Sequence, residues 1–285
     1  MSLQFQTNRR LSEFSTFGIG GPVSYAVEVH TIEEMQQAFA WTNEQHLQTL
    51  VLGKGSNCLF ADSGFLGLAI VNKIDFCDIH ELSVRVGSGY SFSLLGVQTA
   101  RRSLAGLEFA SGIPATVGGA IFMNAGAGGS ETCDHLHSVS YLHEDGRLEE
   151  FLRKDLQFSY RKSPFQSMKG AIVGAVFHLE LSLSARHHQL EIINYRMKTQ
   201  PYKEKSIGCI FRNPSKGVSA GALIQECGLK KYKKGGAQVS DMHANFIINT
   251  GDATAQDVVE LIRIVQQRVK FKMDIDLEPE IRMLP

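Results

Sequence analysis

Neither sign of charge predominates in this sequence: Lys and Arg together number 29, as do Asp and Glu. A chain without a net field has no long-range pull on nucleic acid or an anionic membrane, although a local basic cluster can still hold a small anion. Long apolar runs are missing too, and no segment reaches membrane-spanning length. The opening segment, MSLQFQTNRR, is polar with no signal peptide before it, which sets the expectation of a cytoplasmic protein. Cysteine is scarce and odd in number: Cys58, Cys77, Cys133, Cys209 and Cys227, none in a C-x-x-C pair. That argues against a disulfide framework or a structural zinc site and for a reducing cytoplasm. His135 and His137 alternate along a strand start without a third ligand nearby, so they read as a surface pair and no metal is expected. Internal repeats, low-complexity segments, the Walker A loop and the G-x-G-x-x-G dinucleotide fingerprint are all absent.

What is present starts with 285 residues, 43% hydrophobic and 20% charged. That is a globular composition in a chain too long for one typical core, so about two or three domains are expected. The most unusual stretch is Ser111 to Gly129, SGIPATVGGAIFMNAGAGG. Six of its nineteen residues are Gly and none is charged. Pro114, the glycines and Asn124 forbid a bilayer helix, and Ile113, Val117, Ile121, Phe122 and Met123 require burial. It reads as a compact loop-and-strand segment. Either it is a tightly packed core turn, or its bare backbone lets a flat ring or a phosphate approach closely.

Around it, periodicity predicts a strand at 25–29, a helix at 32–45 behind a capping box at Thr31, and strands at 50–52 and 66–71. Ser91 caps a helix with Leu94, Leu95, Ala100 and Leu104 on one side, ending at Gly106. Strands 138–142 and 147–152 form a hairpin across Glu144-Asp145-Gly146. A long strand follows at 171–181 and a polar helix at 185–198. A third region holds a helix at 219–227, a strand at 245–249, an amphipathic helix from Thr254 to about 270, and a terminal strand in IDLEPEIRML.

Four further segments carry side chains suited to chemistry, each with a plainer alternative. Gly53-Lys54-Gly55-Ser56-Asn57 follows a strand and offers backbone N–H groups to a pyrophosphate, or is a simple loop. Ser159-Tyr160-Arg161-Lys162-Ser163 can grip a phosphate or carboxylate, or is a solvated loop. In Gly208-Cys209-Ile210-Phe211-Arg212-Asn213-Pro214 the thiol can donate a proton, or is a small buried hydrophobe. In Leu277-Glu278-Pro279-Glu280-Ile281-Arg282, Pro279 confines the strand to an edge, and alternation puts Glu278, Glu280 and Arg282 on one face. That face can deliver a carboxylate, or is merely exposed.

The order of STFGIGG, VLGKGSN, GLEFASGIPATVGGAIFMNAGA, FSYRKSPF, GCIFRNP, AGALIQECGLK, GGAQVSDMHANFIIN and LEPEIR resembles the UDP-N-acetylenolpyruvoylglucosamine reductases, the flavin enzymes of bacterial peptidoglycan synthesis, over nearly the whole chain. The lack of a long insertion between the YR segment and GCIFRNP resembles the family's shorter subtype, without an extra substrate-clamping loop. The resemblance implies an α+β chain with a vanillyl-alcohol-oxidase-like (PCMH-like), two-part FAD-binding fold and a C-terminal α+β substrate domain. Residues 1–72 with the terminal strand 275–285 would be the first FAD-binding subdomain, 73–197 the second, and 198–274 the UDP-sugar domain.

It further implies noncovalent FAD between the first two parts, NADPH as hydride donor and UDP-N-acetylglucosamine enolpyruvate as substrate, with no obligate protein partner. Hydride would pass from flavin N5 to C3 of the enolpyruvyl group and a proton to C2. The matched cofactor positions are Gly53, Lys54, Gly55, Ser56 and Asn57 for the pyrophosphate, and Gly112, Ile113, Pro114, Thr116, Gly118 and Gly119 along the ring and ribityl. Arg161 matches the carboxylate-binding arginine. Glu280 matches the terminal-strand glutamate, which would have to be protonated or paired with that arginine. Cys209 stands where many members place a serine proton donor. Tyr160, Arg212, Asn213 and Gln238 match sugar-nucleotide contacts, with Lys216 and Lys231 as candidate pyrophosphate partners. Two departures are Ala115, where Gly is usual, and Gly128, where an aromatic is common. The competing readings are another oxidase of the same superfamily, disfavoured because the glycine-rich centre holds no His for a covalent flavin, and a non-catalytic flavin or nucleotide-sugar sensor, which would be expected to lose Arg161, Cys209 or Glu280.

Overall fold

Three buried apolar clusters organise the chain, each built from helices and strands whose hydrophobic residues recur at matching periods. The computed structural model describes residues 3–215 and 217–285; Lys216 lies outside the described residues. The chain divides into two compact units. One contains Tyr25–Lys54 and Leu66–Arg196 with the N-terminal residues up to Thr7; the other contains Asn8–Ser24, Gly55–Phe65 and Met197–Pro285. Residues 1–72 are thus shared between the units, with 8–24 and 55–65 grouped with the C-terminal third.

In the first unit, strand Phe65–Asn72 lies between Pro22–Val29 and Gln48–Leu52, the latter parallel to it. Helix α1 (Ile32–Glu44) joins the outer two. Thr31 Oγ1 accepts from Glu34 N–H, while Glu34 reaches back to the His30 N–H at 2.6 Å. Met35, Ala38 and Phe39 of α1 pack on Val27, Val29, Leu68 and Ile70. A second, antiparallel sheet runs Leu148–Leu152, Leu136–His143, Gly170–His178, Ser83–Gly87, Cys77–His80. The hairpin at Glu144-Asp145-Gly146 forms as expected, and the long strand breaks at Leu179 before a short Glu180–Leu181 piece.

Helix α2 (Phe92–Arg101) starts at a Ser91 cap as expected but stops early, because Ser103 adopts a left-handed φ of 59°. Leu95 and Ala100 are buried, whereas Leu94 faces solvent and Leu104 belongs to a short strand. The glycine-rich centre also departs from expectation. It contains a helix, α3 (Val117–Phe122), capped by Thr116 Oγ1 accepting from the Gly119 N–H. Gly118 and Gly119 are poor helix formers and hide it from propensity. The cap and the buried i, i+3, i+4 set Val117, Ala120, Ile121 decide the matter. Helix α4 (Ala185–Thr199) is polar as expected, and its buried Arg196 donates to Phe109 O at 3.0 Å.

In the second unit the antiparallel order is Lys205–Cys209, Phe246–Asn249, Ala237–Val239, Lys233–Lys234. Helices α5 (Ala220–Glu226) and α6 (Ala255–Met273) join its core. Val258, Leu261, Ile262, Val265 and Val269 of α6 are all buried. The terminal strand is shorter than expected, Arg282–Leu284, and pairs in parallel with Cys58–Phe60. Its alternation holds: Leu277 and Ile281 are buried and Glu278 is exposed.

The start of α6 has two caps. Thr254 and Asp257 form a capping box, and Asp62 adds both carboxylate oxygens, accepting from Ala255 N at 2.9 Å and Gln256 N at 3.2 Å. An acidic group at a helix N-terminus satisfies orphan donors and opposes the dipole. Asp62→Ala is expected to cost about 1 kcal/mol, lowering the melting temperature by about 2–4 °C. Thermal melts followed by circular dichroism check this; an unchanged midpoint would show that the capping box suffices alone.

Candidate active site

In the first unit the two glycine segments meet. Gly53 lies so close to Thr116 that a Cβ there would stand 2.4 Å from Thr116 Oγ1, the atom that caps α3. Lys54 Nζ donates to Ser91 Oγ at 3.1 Å, and Ser91 bridges to Thr116 through the backbone. The glycine-rich segment docks on the loop 88–93. Gly112 N donates to Ser93 Oγ at 2.7 Å, Val117 N to Tyr90 O at 2.9 Å and Gly118 N to Ser88 O at 2.8 Å. Ser88 is in turn held by Asn72 Nδ2 at 2.7 Å. Most N–H groups expected to serve a ligand are therefore spent on shaping the segment. The packed-turn reading describes its main chain.

The residues that remain fit a flavin dinucleotide. The N–H groups of Lys54 and Ser56 enter no hydrogen bond among the described residues. Partial burial, and then the like charge of Lys73, lower the Lys54 pKa from its ordinary value. Neither lysine has a carboxylate partner among the described residues, so an incoming diphosphate would supply the missing charge. At Gly119 a Cβ would meet only Thr116 Oγ1, at 3.4 Å, leaving an open face at the start of α3.

The arginine expected to bind a carboxylate sits in a two-residue turn. Ser159 and Lys162 exchange backbone bonds of 3.1 and 2.9 Å, and Arg161 between them has φ 59°. That conformation costs a non-glycine residue roughly 1–2 kcal/mol. The surrounding bonds offset it. Asn124, fully buried and itself left-handed, donates to Ser159 O at 3.0 Å and to Glu131 at 2.7 Å. Gln166 Nε2 donates to Arg161 O at 3.0 Å. The guanidinium donates to Gly126 O at 3.0 Å and lies 4.7 Å from the Tyr160 ring centre. Neither Asn124 nor Gln166 stood out in the sequence. The nearest signal was Asn124, a lone amide in an apolar run.

In the second unit, Gly55 is left-handed and its Cβ position is filled by Phe14 O at 2.2 Å, so only glycine fits. Asn57 Nδ2 donates to Glu280 O at 3.4 Å and Arg282 N to Asn57 O at 2.9 Å, so the end of the glycine loop adjoins the LEPEIR segment. That segment runs antiparallel to GCIFRNP: Glu280 N donates to Ile210 O at 2.7 Å and Arg212 N to Glu278 O at 2.9 Å. Cys209 is therefore the neighbour of the residue opposite Glu280. A ladder irregularity between Ser206 and Cys209, with Gly208 at φ 80°, marks the bend just before the thiol. Asn245 clamps the segment, accepting from Phe211 N at 2.9 Å and donating to Phe211 O at 2.8 Å.

The expected sugar-nucleotide contacts have mixed duties. Arg212 keeps a buried Nε with no hydrogen-bond partner, whereas Asn213 Oδ1 accepts from Ala220 N at 3.0 Å at the start of α5. Gln238 sits in strand Ala237–Val239, and Lys231 pairs with Asp241 at 3.0 Å. None of the five cysteines is in a disulfide. Burial pushes the Cys58 thiol up to about 11 and raises Cys77 and Cys133, which keeps these three protonated and unreactive. His137 stacks on His178 at 4.0 Å, and no metal-binding cluster forms among the described residues. No helix among them is long and apolar enough to cross a membrane.

Comparison with known proteins converges on one family. A profile described as the C-terminal domain of UDP-N-acetylenolpyruvoylglucosamine reductase matches residues 200–284, and one described as an FAD binding domain matches 23–151. The UDP-N-acetylenolpyruvoylglucosamine reductase of Protochlamydia amoebophila is 58% identical over 283 residues, 99% of this chain and 94% of that protein. The Chlamydia muridarum enzyme of that name is 47% identical over 276 residues, 96% and 93% of the two chains. The crystal structure of UDP-N-acetylenolpyruvylglucosamine reductase from Thermus caldophilus is 37% identical, matches all of both chains and superposes with a TM-score of 0.85. With an FAD-binding domain, an α+β fold and relatives this similar over its whole length, the chain belongs to the UDP-N-acetylenolpyruvoylglucosamine reductase family and is an FAD-binding oxidoreductase.

Proposed function

We propose that this chain reduces the enolpyruvyl group of UDP-N-acetylglucosamine enolpyruvate to the lactyl group of UDP-N-acetylmuramate for peptidoglycan synthesis, with NADPH as reductant. Bound FAD would supply the two-electron relay from NADPH to C3 of the enolpyruvyl group, through its N5. Lys54 and the N–H groups of the 53–57 loop would hold its diphosphate, and the segment 112–119 its ring and ribityl chain. We assign 1–72 and 73–197 to this cofactor and 198–274 to the UDP-sugar.

As C3 gains hydride, the electron pair of the C2–C3 double bond moves toward the carboxylate as an enolate. Arg161 meets that charge with a planar guanidinium able to make two bonds to a carboxylate. Its left-handed turn and bond to Gly126 O fix the direction in which the side chain leaves the backbone. Glu280 is assigned a share in polarising the same carboxylate. The Cys209 S–H then gives its proton to C2, and solvent restores the thiol. The observation that carries this reading is the pairing in the second unit, where the thiol-bearing residue adjoins the residue opposite Glu280 on two hydrogen-bonded segments. Tyr160, Arg212, Asn213 and Gln238 are assigned to the sugar nucleotide.

The assay for the function is NADPH oxidation by the purified, yellow protein. Oxidation is expected to accelerate with the UDP-enolpyruvyl sugar and to yield the lactyl product. Acid denaturation is expected to release the flavin. A rate independent of that sugar would refute the assignment.

Cys209 separates the two half-reactions. NADPH reduces the flavin without a proton from this thiol, so Cys209→Ala is expected to leave that rate near wild type. Reoxidation by the enolpyruvyl sugar is expected to fall by roughly a hundred- to ten-thousand-fold, the usual worth of a positioned general acid. Cys209→Ser should recover much of the loss. Stopped-flow flavin absorbance reads both steps; equal reoxidation rates for wild type and Cys209→Ala would remove the proton-donor role.

A further inference from the structure

The turn that carries Arg161 is fastened by a side chain with no acid–base chemistry of its own. Gln166 sits in the single 3-10 turn Pro164–Ser167. Its amide nitrogen donates to Phe122 O at 2.8 Å and to Arg161 O at 3.0 Å, so both amide hydrogens are spent on main-chain carbonyls. These two and the nearby Met123 Sδ, at 3.7 Å, are all acceptors, which fixes the amide with nitrogen inward. Ser163 Oγ donates to the same Phe122 O at 2.7 Å. Phe122 is the last residue of α3. One amide thus ties the arginine's own carbonyl to the end of the helix in the glycine-rich centre.

The tie bears on chemistry because of the backbone it holds. Arg161 is left-handed, at φ 59°, in the position where a two-residue turn ordinarily takes glycine. Asn124 secures Ser159 on the entering side, and Gln166 secures Arg161 itself. Without the second tie the carbonyl of Arg161 is released and its peptide can rotate toward a commoner conformation. The guanidinium would then leave the direction set by its bond to Gly126 O. We propose that Gln166 is a positioning residue: its amide locks the left-handed turn and so aims the Arg161 guanidinium at the substrate carboxylate. This rests on the reading of Arg161 as the carboxylate-binding residue.

The test uses the flavin-loaded enzyme and Gln166→Met, which keeps length and apolar bulk but removes both donors. Reoxidation of the reduced flavin by the UDP-enolpyruvyl sugar is expected to slow about tenfold, the scale of one lost directing bond. Reduction by NADPH is expected to stay within about twofold of wild type, as is melting temperature within a few degrees. Added to Arg161→Ala, Gln166→Met is expected to cost less than about twofold more, because a residue acting through Arg161 has nothing left to aim. If the Met variant does not fold, Gln166→Ala takes its place in the same measurements. Equal losses in both half-reactions, a full loss repeated in the Arg161→Ala background, or no loss at all would overturn the proposal. A slow Arg161→Ala beside an unimpaired Gln166→Met overturns the positioning role alone. Reoxidation of Arg161→Ala at the wild-type rate removes the reading of Arg161 and the positioning role with it.

Discussion

At Gly53 the chain passes Thr116 with room for a hydrogen atom and nothing larger, a Cβ there falling 2.4 Å from Thr116 Oγ1. Thr116 has no slack to give, because that oxygen caps α3 through the Gly119 N–H. Much of the first unit's chemistry follows from this close approach. It holds the pyrophosphate-type loop against the start of a short helix, and the Lys54–Ser91 bond and the docking of Val117 and Gly118 on 88–90 reinforce it. The far end of the same helix receives the bonds from Ser163 and Gln166 that anchor the arginine turn. One six-residue helix thus connects the proposed cofactor loop at its start with the turn of the proposed carboxylate-binding arginine at its end.

The second unit solves a different problem, holding a thiol and a carboxyl on neighbouring backbones without burying either as an unpaired charge. It does so with main-chain bonds between the two segments. The GCIFRNP and LEPEIR segments bond to each other, Asn245 clamps Phe211 from both sides, and Leu277 and Ile281 anchor the second segment in the core. Edge pairing with proline at its centre leaves the faces of these segments available for side-chain chemistry.

The elements that could be read from sequence are those where local and tertiary signals agree. The α6 periodicity, its capping box and the Asp-Gly hairpin state their structure within a few residues of sequence. Helix α3 was hidden because Gly118, which passes close to Ser88, and Gly119 are residues that propensity scores against. The end of α2 was misplaced because a serine, not a glycine, takes the left-handed turn. Among the proposed site residues, those with distinctive chemistry, Arg161, Cys209 and Glu280, are visible as motifs. Their holders are not. Asn124, Gln166 and Asn245 act through the backbone of Ser159, Phe122 and Phe211, 35, 44 and 34 residues away, and an amide bonded to a carbonyl leaves no periodic mark.

The Gly53–Thr116 contact is proposed to shape the FAD site. Flavin content of purified Gly53→Ala, read as the ratio of visible flavin absorbance to protein absorbance, tests it most directly. The account predicts a chain with wild-type circular dichroism but FAD affinity reduced by at least about tenfold, some 1.4 kcal/mol of lost binding. Full, wild-type flavin occupancy in that variant at limiting FAD would contradict it.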